Sequence, residues 1–194
     1  TKGPEIRTGL FAGGKVNLTA GEPFTLYAKE RLGDEKGCCI SYPALTAQLK
    51  PGDRVLLDDG RLCLRVETAD AERAVCRVVT GGVLSNRKGI NLPGVTVDMP
   101  YLSEADKRDL IFGVENDVDF IAASFVRSKE DVIALRKFVD YHGGHNIKII
   151  AKIENLEGIE NFEEILRHAD GIMVARGDMG VEVEYERLPG IQKR

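Results

Sequence analysis

The sequence predicts a chain in two parts, an all-β module followed by a parallel α/β array. Three features predict it: apolar residues alternate with period two from about Glu5 to Leu84, the period becomes helical at Ser103, and three near-continuous apolar runs then follow with a helical segment between each.

In the first part the strand-like runs are EIRTGLF at 5–11, KVNLTA at 15–20, FTLYAKE at 24–30, DRVLLDD at 53–59, RLCLRVE at 61–67 and AVCRVVT at 74–80. Turn residues separate them: Gly13-Gly14, Gly21, Gly33, Pro51-Gly52, Asp59-Gly60 and Gly81-Gly82. This pattern suits a small β-barrel or sandwich. Asp59-Gly60 is the strongest hairpin signal, because Asp tolerates and Gly favours positive φ.

In the second part SEADKRDLIFGVEN reads as a helix opened by Ser103, with Asp106 three residues on as a capping partner. VDFIAASF is the first apolar run. SKEDVIALRKFVDYHG reads as a second helix, again with Ser and Asp three apart, and closed by Gly143. IKIIAKIE is the second run, EGIENFEEILRHAD a third helix, and GIMVARGD the third run. Runs at this spacing are parallel strands joined by crossover helices. Strands covered on both faces need not alternate, and reactive groups collect at their C-terminal ends in barrels and open sheets alike. Ser124, Lys152 with Glu154, and Arg176 with Asp178 fall at those ends.

Composition narrows the function classes. With 43% hydrophobic and 30% charged residues the chain is globular, and a net charge of -4 from interspersed residues argues against general nucleic-acid or anionic-membrane binding. No apolar run is long enough to span a membrane, so a cytosolic protein is expected. Cys38 and Cys39 are adjacent while Cys63 and Cys76 stand alone, which fits reduced structural thiols and no zinc spacing. The chain opens at Thr1 inside a motif and stops at Arg194 inside a helix-like stretch, so it reads as a fragment.

The chemistry concentrates on three residues. Lys152 and Glu154 are two apart on one strand and point to the same side, and Asp178 ends the next strand in this reading. Two carboxylates on neighbouring strands suit a hard divalent cation that keeps open positions for substrate oxygens. Lys152 would neutralise charge developing on a phosphoryl group or an enolate. Spacing alone leaves a second reading open, in which Lys152 and Glu154 are a strand-end ion pair and Asp178 caps a helix. The histidines His142, His145 and His168 lie at or beyond helix ends and suggest no catalysis.

IIAKIENLEGIENFEEIL at 149–166 followed by GIMVARGDMGVE at 171–182 resembles the active-site signature of pyruvate kinases. TKGPEIRTG at 1–9 and RKGINLPG at 87–94 resemble two further motifs of that family, in the family's order. The resemblance implies a partial (β/α)8 TIM-type barrel with an inserted all-β, barrel-like lid domain. Its bounds would be residues 1–4 as the end of a barrel strand, 5–86 as the lid, and 87–194 as about the fourth to sixth barrel strands. It also implies phosphoryl transfer from phosphoenolpyruvate to ADP with Mg²⁺ (or Mn²⁺) and K⁺, in a cytoplasmic homotetramer.

Residue by residue, the resemblance implies Lys152 as the catalytic and substrate-binding lysine, and Glu154 and Asp178 as Mg²⁺ ligands. Gly177 and Asp178 would hold the substrate carboxylate through backbone N–H groups, and Thr1 would ligate K⁺. Arg7 and Lys88 would reach the nucleotide phosphates, Glu5 resembles the K⁺-dependent branch, and Asp59 reads as structural. Residues that the family draws from elsewhere, among them a substrate-binding arginine and a proton-relay threonine, have no match here. The isolated chain is therefore expected to be inactive and to self-associate through unpaired strand edges. Two other readings compete: a metal-dependent aldolase or lyase on the same kind of barrel, and a binding module fused to a structural α/β piece. Lys152, Arg7, Lys88 and the inserted β module speak against the first, and an aromatic content of 6% with no Trp speaks against oligonucleotide binding by the second.

Overall fold

The computed structural model describes residues 1–193, which form two compact units: Glu5–Asp98, and Thr1–Pro4 together with Met99 onward. The strands of the β unit are Ile6–Arg7 (β1), Lys15–Leu18 (β2), Pro23–Tyr27 (β3), Gly37–Cys39 (β4), Arg54–Leu57 (β5), Leu62–Ala69 (β6), Arg73–Thr80 (β7), Gly82–Ser85 (β8) and Gly89–Asn91 (β9), with one helical turn at Leu45–Gln48 (α1). Seven of them form a sheet in the order β1-β9-β5-β6-β7-β3-β4, while β2 and β8 pair separately. Phe24, Leu26, Leu45, Val55, Leu57, Leu64 and Leu84 are fully buried in its interior.

The unit runs beyond residue 86 because β9 pairs with both β1 and β5, which binds residues 89–91 into the sheet. The expected hairpin joins β5 to β6, and Asp58, Asp59 and Gly60 take φ values of 51°, 56° and 79° in succession. All four cysteines are free and buried, and burial pushes the Cys38 and Cys76 thiols up to about 12, out of reach of thiolate chemistry.

The second unit holds Phe120–Ala123 (β10), Lys148–Ile153 (β11) and Gly171–Val174 (β12), paired in that order and parallel, as expected of part of a (β/α)8 barrel. Its helices are Glu104–Glu115 (α2), Lys129–Tyr141 (α3), Leu156–Glu160 (α4), Phe162–Leu166 (α5), Arg176–Glu182 (α6) and Leu188–Gln192 (α7). Helix α2 starts in the expected capping box: Ser103 Oγ accepts from Asp106 N–H at 3.0 Å, and Asp106 Oδ2 accepts from Ser103 N–H at 3.3 Å.

Four expectations are corrected here. Ser128 makes no side-chain cap to α3, because Asp131 is occupied by the Arg127 guanidinium and Arg127 N–H. The third helix is two short ones, broken at Asn161, whose amide Nδ2 donates to the Arg127 carbonyl. The third strand ends at Val174, so Asp178 lies in the first turn of α6. Strands β10 and β11 do alternate, because among the described residues helices cover only one face: Ile121, Ala123, Ile149, Ala151 and Ile153 pack against Leu110, Val132, Leu135, Val139 and Ile165. On the other face Phe120 and Met173 are exposed. That open face carries Lys152.

Candidate functional site

Lys152 is the last outward residue of β11 and Glu154 follows the strand directly. The Lys152 ammonium donates to Ser124 Oγ at 3.0 Å and lies 2.6 Å from Glu154 Oε1. Ser124 follows the end of β10, whose last rung pairs Ala123 with Ala151, so strand register brings the hydroxyl and the amine together. The other carboxylate oxygen, Glu154 Oε2, accepts from Phe125 N–H at 2.6 Å.

The Glu154 side chain is 1% exposed and that of Lys152 22%. A carboxylate this deep is costly unless compensated. Burial raises the Glu154 pKa above its ordinary value; the Lys152 ammonium and the Phe125 N–H oppose the rise, and the nearby Asp178 charge adds to it. Oε1 is buried with the Lys152 ammonium 2.6 Å away as its charge partner and no further donor. The short ion-pair distance governs the electrostatics. The missing donor leaves a lone pair for another electrophile.

The Phe125 N–H is aimed by an unusual backbone. Phe125 has φ of 53°, a left-handed conformation that costs a bulky residue about 1–3 kcal/mol and needs its surroundings to hold it. Gly3 packs so closely on the preceding peptide that a Cβ there would stand 2.3 Å from the Ser124 carbonyl oxygen. Thr1 Oγ1 accepts from Ser124 N–H at 3.3 Å. Sequence reasoning marked Ser124 as a polar strand end, but the part played by Phe125 is a backbone property with no side-chain signature.

Asp178 and Gly177 belong to the first turn of α6, whose N-cap is Ala175 with no side-chain cap. Orphan N–H groups of that turn are therefore left for another acceptor. A cavity of about 610 Å³ borders the turn, with Val174, Arg176, Gly177 and Tyr185 among its lining residues. Among the described residues no group of three or more His, Cys, Asp or Glu side chains is gathered to hold a metal ion. The Asp178 charge acts on Glu154, and one or two carboxylates are what a Mg²⁺ site completed by substrate and water uses. The orphaned Oε1 fits such a cation.

In the β unit, Arg7 is held by the Glu5 carboxylate and donates to the Arg87 carbonyl at 2.7 Å. The Glu5 hydrogen bond is the main cause raising the Arg7 pKa, with Asp59 contributing through its charge. The Lys88 ammonium lies 2.7 Å from Asp58 Oδ1, and Asp58 is buried. β9 pairs with both β1 and β5, which brings Arg7, Lys88 and the Asp58-Asp59 turn to one end of these three strands. Sequence reasoning missed Asp58, although a doubled Asp before Gly, after the apolar run VLL, marks one carboxylate as inward-facing.

Comparison with known proteins bears on both units. The family profile described as "Pyruvate kinase, barrel domain" matches residues 1–194. Over 194 residues the chain is 47% identical to a pyruvate kinase of Clostridium acetobutylicum, covering 100% of this chain and 41% of that protein. It is 48% identical over 193 residues to one of Clostridium perfringens, covering 99% and 41%, and 47% identical over 199 residues to human "Pyruvate kinase PKLR", covering 100% and 34%. The chain thus spans less than half the length of these relatives. With a match along its whole length and a parallel β/α unit interrupted by a β-rich one, the chain belongs to the pyruvate kinase family.

Proposed function

We propose that the protein carrying this chain transfers the phosphoryl group of phosphoenolpyruvate to ADP. The P–O bond to the enol oxygen breaks, a bond to the terminal ADP oxygen forms, and the enolate takes up a proton at carbon to give pyruvate and ATP. The observation that carries this reading is the buried Lys152–Glu154 pair, whose Oε1 has no partner besides the ammonium.

Each residue has a task in this reading. Lys152, fixed by Ser124 and Glu154, would set a compact positive charge against the phosphoryl oxygens and the enolate oxygen as charge moves between them. Glu154 and Asp178 would hold Mg²⁺ or Mn²⁺, and Thr1 would be a ligand to K⁺. A divalent ion bound there neutralises phosphate charge and polarises the transferring group. The N–H groups of Gly177 and Asp178, uncapped by any side chain of Ala175, would hold the substrate carboxylate. Arg7 and Lys88 would exchange their present carboxylate partners for nucleotide phosphates.

Among the described residues no helix is long and apolar enough to cross a membrane. The reading places the complete enzyme in the cytosol as a homo-oligomer, with phosphoenolpyruvate and ADP as its partners. The test is a coupled pyruvate-formation assay on the complete protein and on this chain alone. The complete protein is expected to turn over with Mg²⁺ and K⁺ present, and the chain alone to show none. Absence of activity in the complete protein would remove the proposal, and full activity of the chain would remove its second half.

A further inference from the structure

The residues that present Lys152 and Glu154 are themselves held from one point. The turn at Ser124–Phe125 supplies both contacts, the Ser124 hydroxyl to Lys152 and the Phe125 N–H to Glu154 Oε2. Its backbone is strained at Phe125, where φ is 53°, so an outside group must hold it. The carbonyl of Ser124, between those two contacts, accepts from Tyr101 Oη at 2.9 Å.

Tyr101 is well suited to that work. It is 4% exposed, packed in the apolar core with Leu110, Val126 and Val132, and it lies just ahead of the Ser103–Asp106 capping box. Burial pushes its phenol well above the usual tyrosine range, so the hydroxyl stays a donor; the Thr1 side chain is a further hydrogen-bond neighbour. Gly3 closes the opposite approach to the same carbonyl, since a Cβ there would overlap it. The carbonyl is therefore confined between a packed backbone and a buried donor.

We propose that Tyr101 is a positioning residue: its hydroxyl fixes the Ser124 carbonyl and so holds the Phe125 N–H and the Ser124 hydroxyl where Glu154 and Lys152 need them. The consequence for the cation rests on the metal reading given above, while the consequence for the turn does not. Without the hydroxyl, the Ser124 carbonyl loses its buried donor and the left-handed Phe125 relaxes.

The test compares the full chain with its Tyr101→Phe variant, which keeps the ring and removes one oxygen. Amide hydrogen exchange followed by NMR is expected to show Phe125 N–H exchanging about tenfold faster, with the core amides of Ile149 and Ala151 unchanged. Titration with Mn²⁺ alone, read by the paramagnetic resonance of the free ion, is expected to give about fivefold weaker binding. Unchanged exchange at Phe125, or equal acceleration at Phe125, Ile149 and Ala151, overturns the proposal. Selective acceleration at Phe125 in a chain that binds no Mn²⁺ supports the positioning role and overturns the metal reading instead.

Discussion

The Lys152 ammonium and Glu154 Oε1 stand 2.6 Å apart, and only the amine end of the pair reaches solvent. The carboxylate is fixed by Phe125 N–H on its other oxygen, so the pair has one immobile member and one that faces the open side of β11. A charge held this way requires little reorganisation when a substrate arrives, which is the condition for large electrostatic stabilisation of a transition state.

Lys152→Met in the complete enzyme is expected to lower kcat by roughly a thousandfold or more while the KM for phosphoenolpyruvate changes little, because the charge acts on the transition state. Steady-state assays of pyruvate formation check the split. A rise in KM at constant kcat would reassign Lys152 to ground-state binding.

In the proposed reading Glu154 and Asp178 are the two charged oxygen donors to the cation, so Asp178→Asn and Glu154→Gln are each expected to weaken Mn²⁺ binding by about tenfold or more. Direct titration of the free ion measures this. Equal affinity in all three proteins would exclude the pair as ligands.

Asp170 gives a pH-dependent prediction outside the site. Its Oδ2 accepts from Ile149 N–H at 2.9 Å and from Arg136 at 3.0 Å, and these partners, with Lys148, hold its pKa below the ordinary 3.8. A depressed acid stabilises the fold above its unfolded value and loses that contribution as pH falls through the folded one. Asp170→Asn is expected to cost about 1–2 kcal/mol at neutral pH, with the difference from the parent chain shrinking below about pH 3.8. Urea unfolding at a series of pH values tests both parts.

Lys88 and Asp58 give a prediction with opposite signs. Lys88→Met is expected to raise the KM for ADP about tenfold by removing a phosphate partner. Asp58→Asn keeps a residue tolerant of the left-handed turn and releases Lys88 from its carboxylate, so the KM for ADP is expected to fall. Parallel changes in the two variants would show that Lys88 is held for structure.

The two-part fold was legible because each part has its own period, and the capping box at Ser103 because its geometry is local. Strands β4, β8 and β9 were not: two have three residues, and their pairing is decided by partners distant in the chain. At the site, the Lys152–Glu154 contact followed from their spacing. The place of Asp178 did not, because a run ending in VARGD gives no sign that the strand stops at Val174 and the chain turns helical at Arg176. The hold of Asp131 on Arg127 was hidden for a related reason, since a Ser-x-x-Asp pattern looks the same whether the acid faces the cap or the preceding arginine.

Asp106 closes its capping box with one oxygen and with the other accepts from Lys2 N–H at 2.8 Å, across 104 positions of sequence. The whole β unit lies between those two residues along the chain. This contact has a very high contact order, and an unfolded loop of that length would close it slowly. A β unit that folds first shortens the effective loop to the distance between its own ends. Refolding is therefore expected in two phases, with the β sheet forming early and the segment at Lys2 docking late, and a destabilised β unit would slow the assembly of a site to which it contributes neither Lys152 nor Glu154.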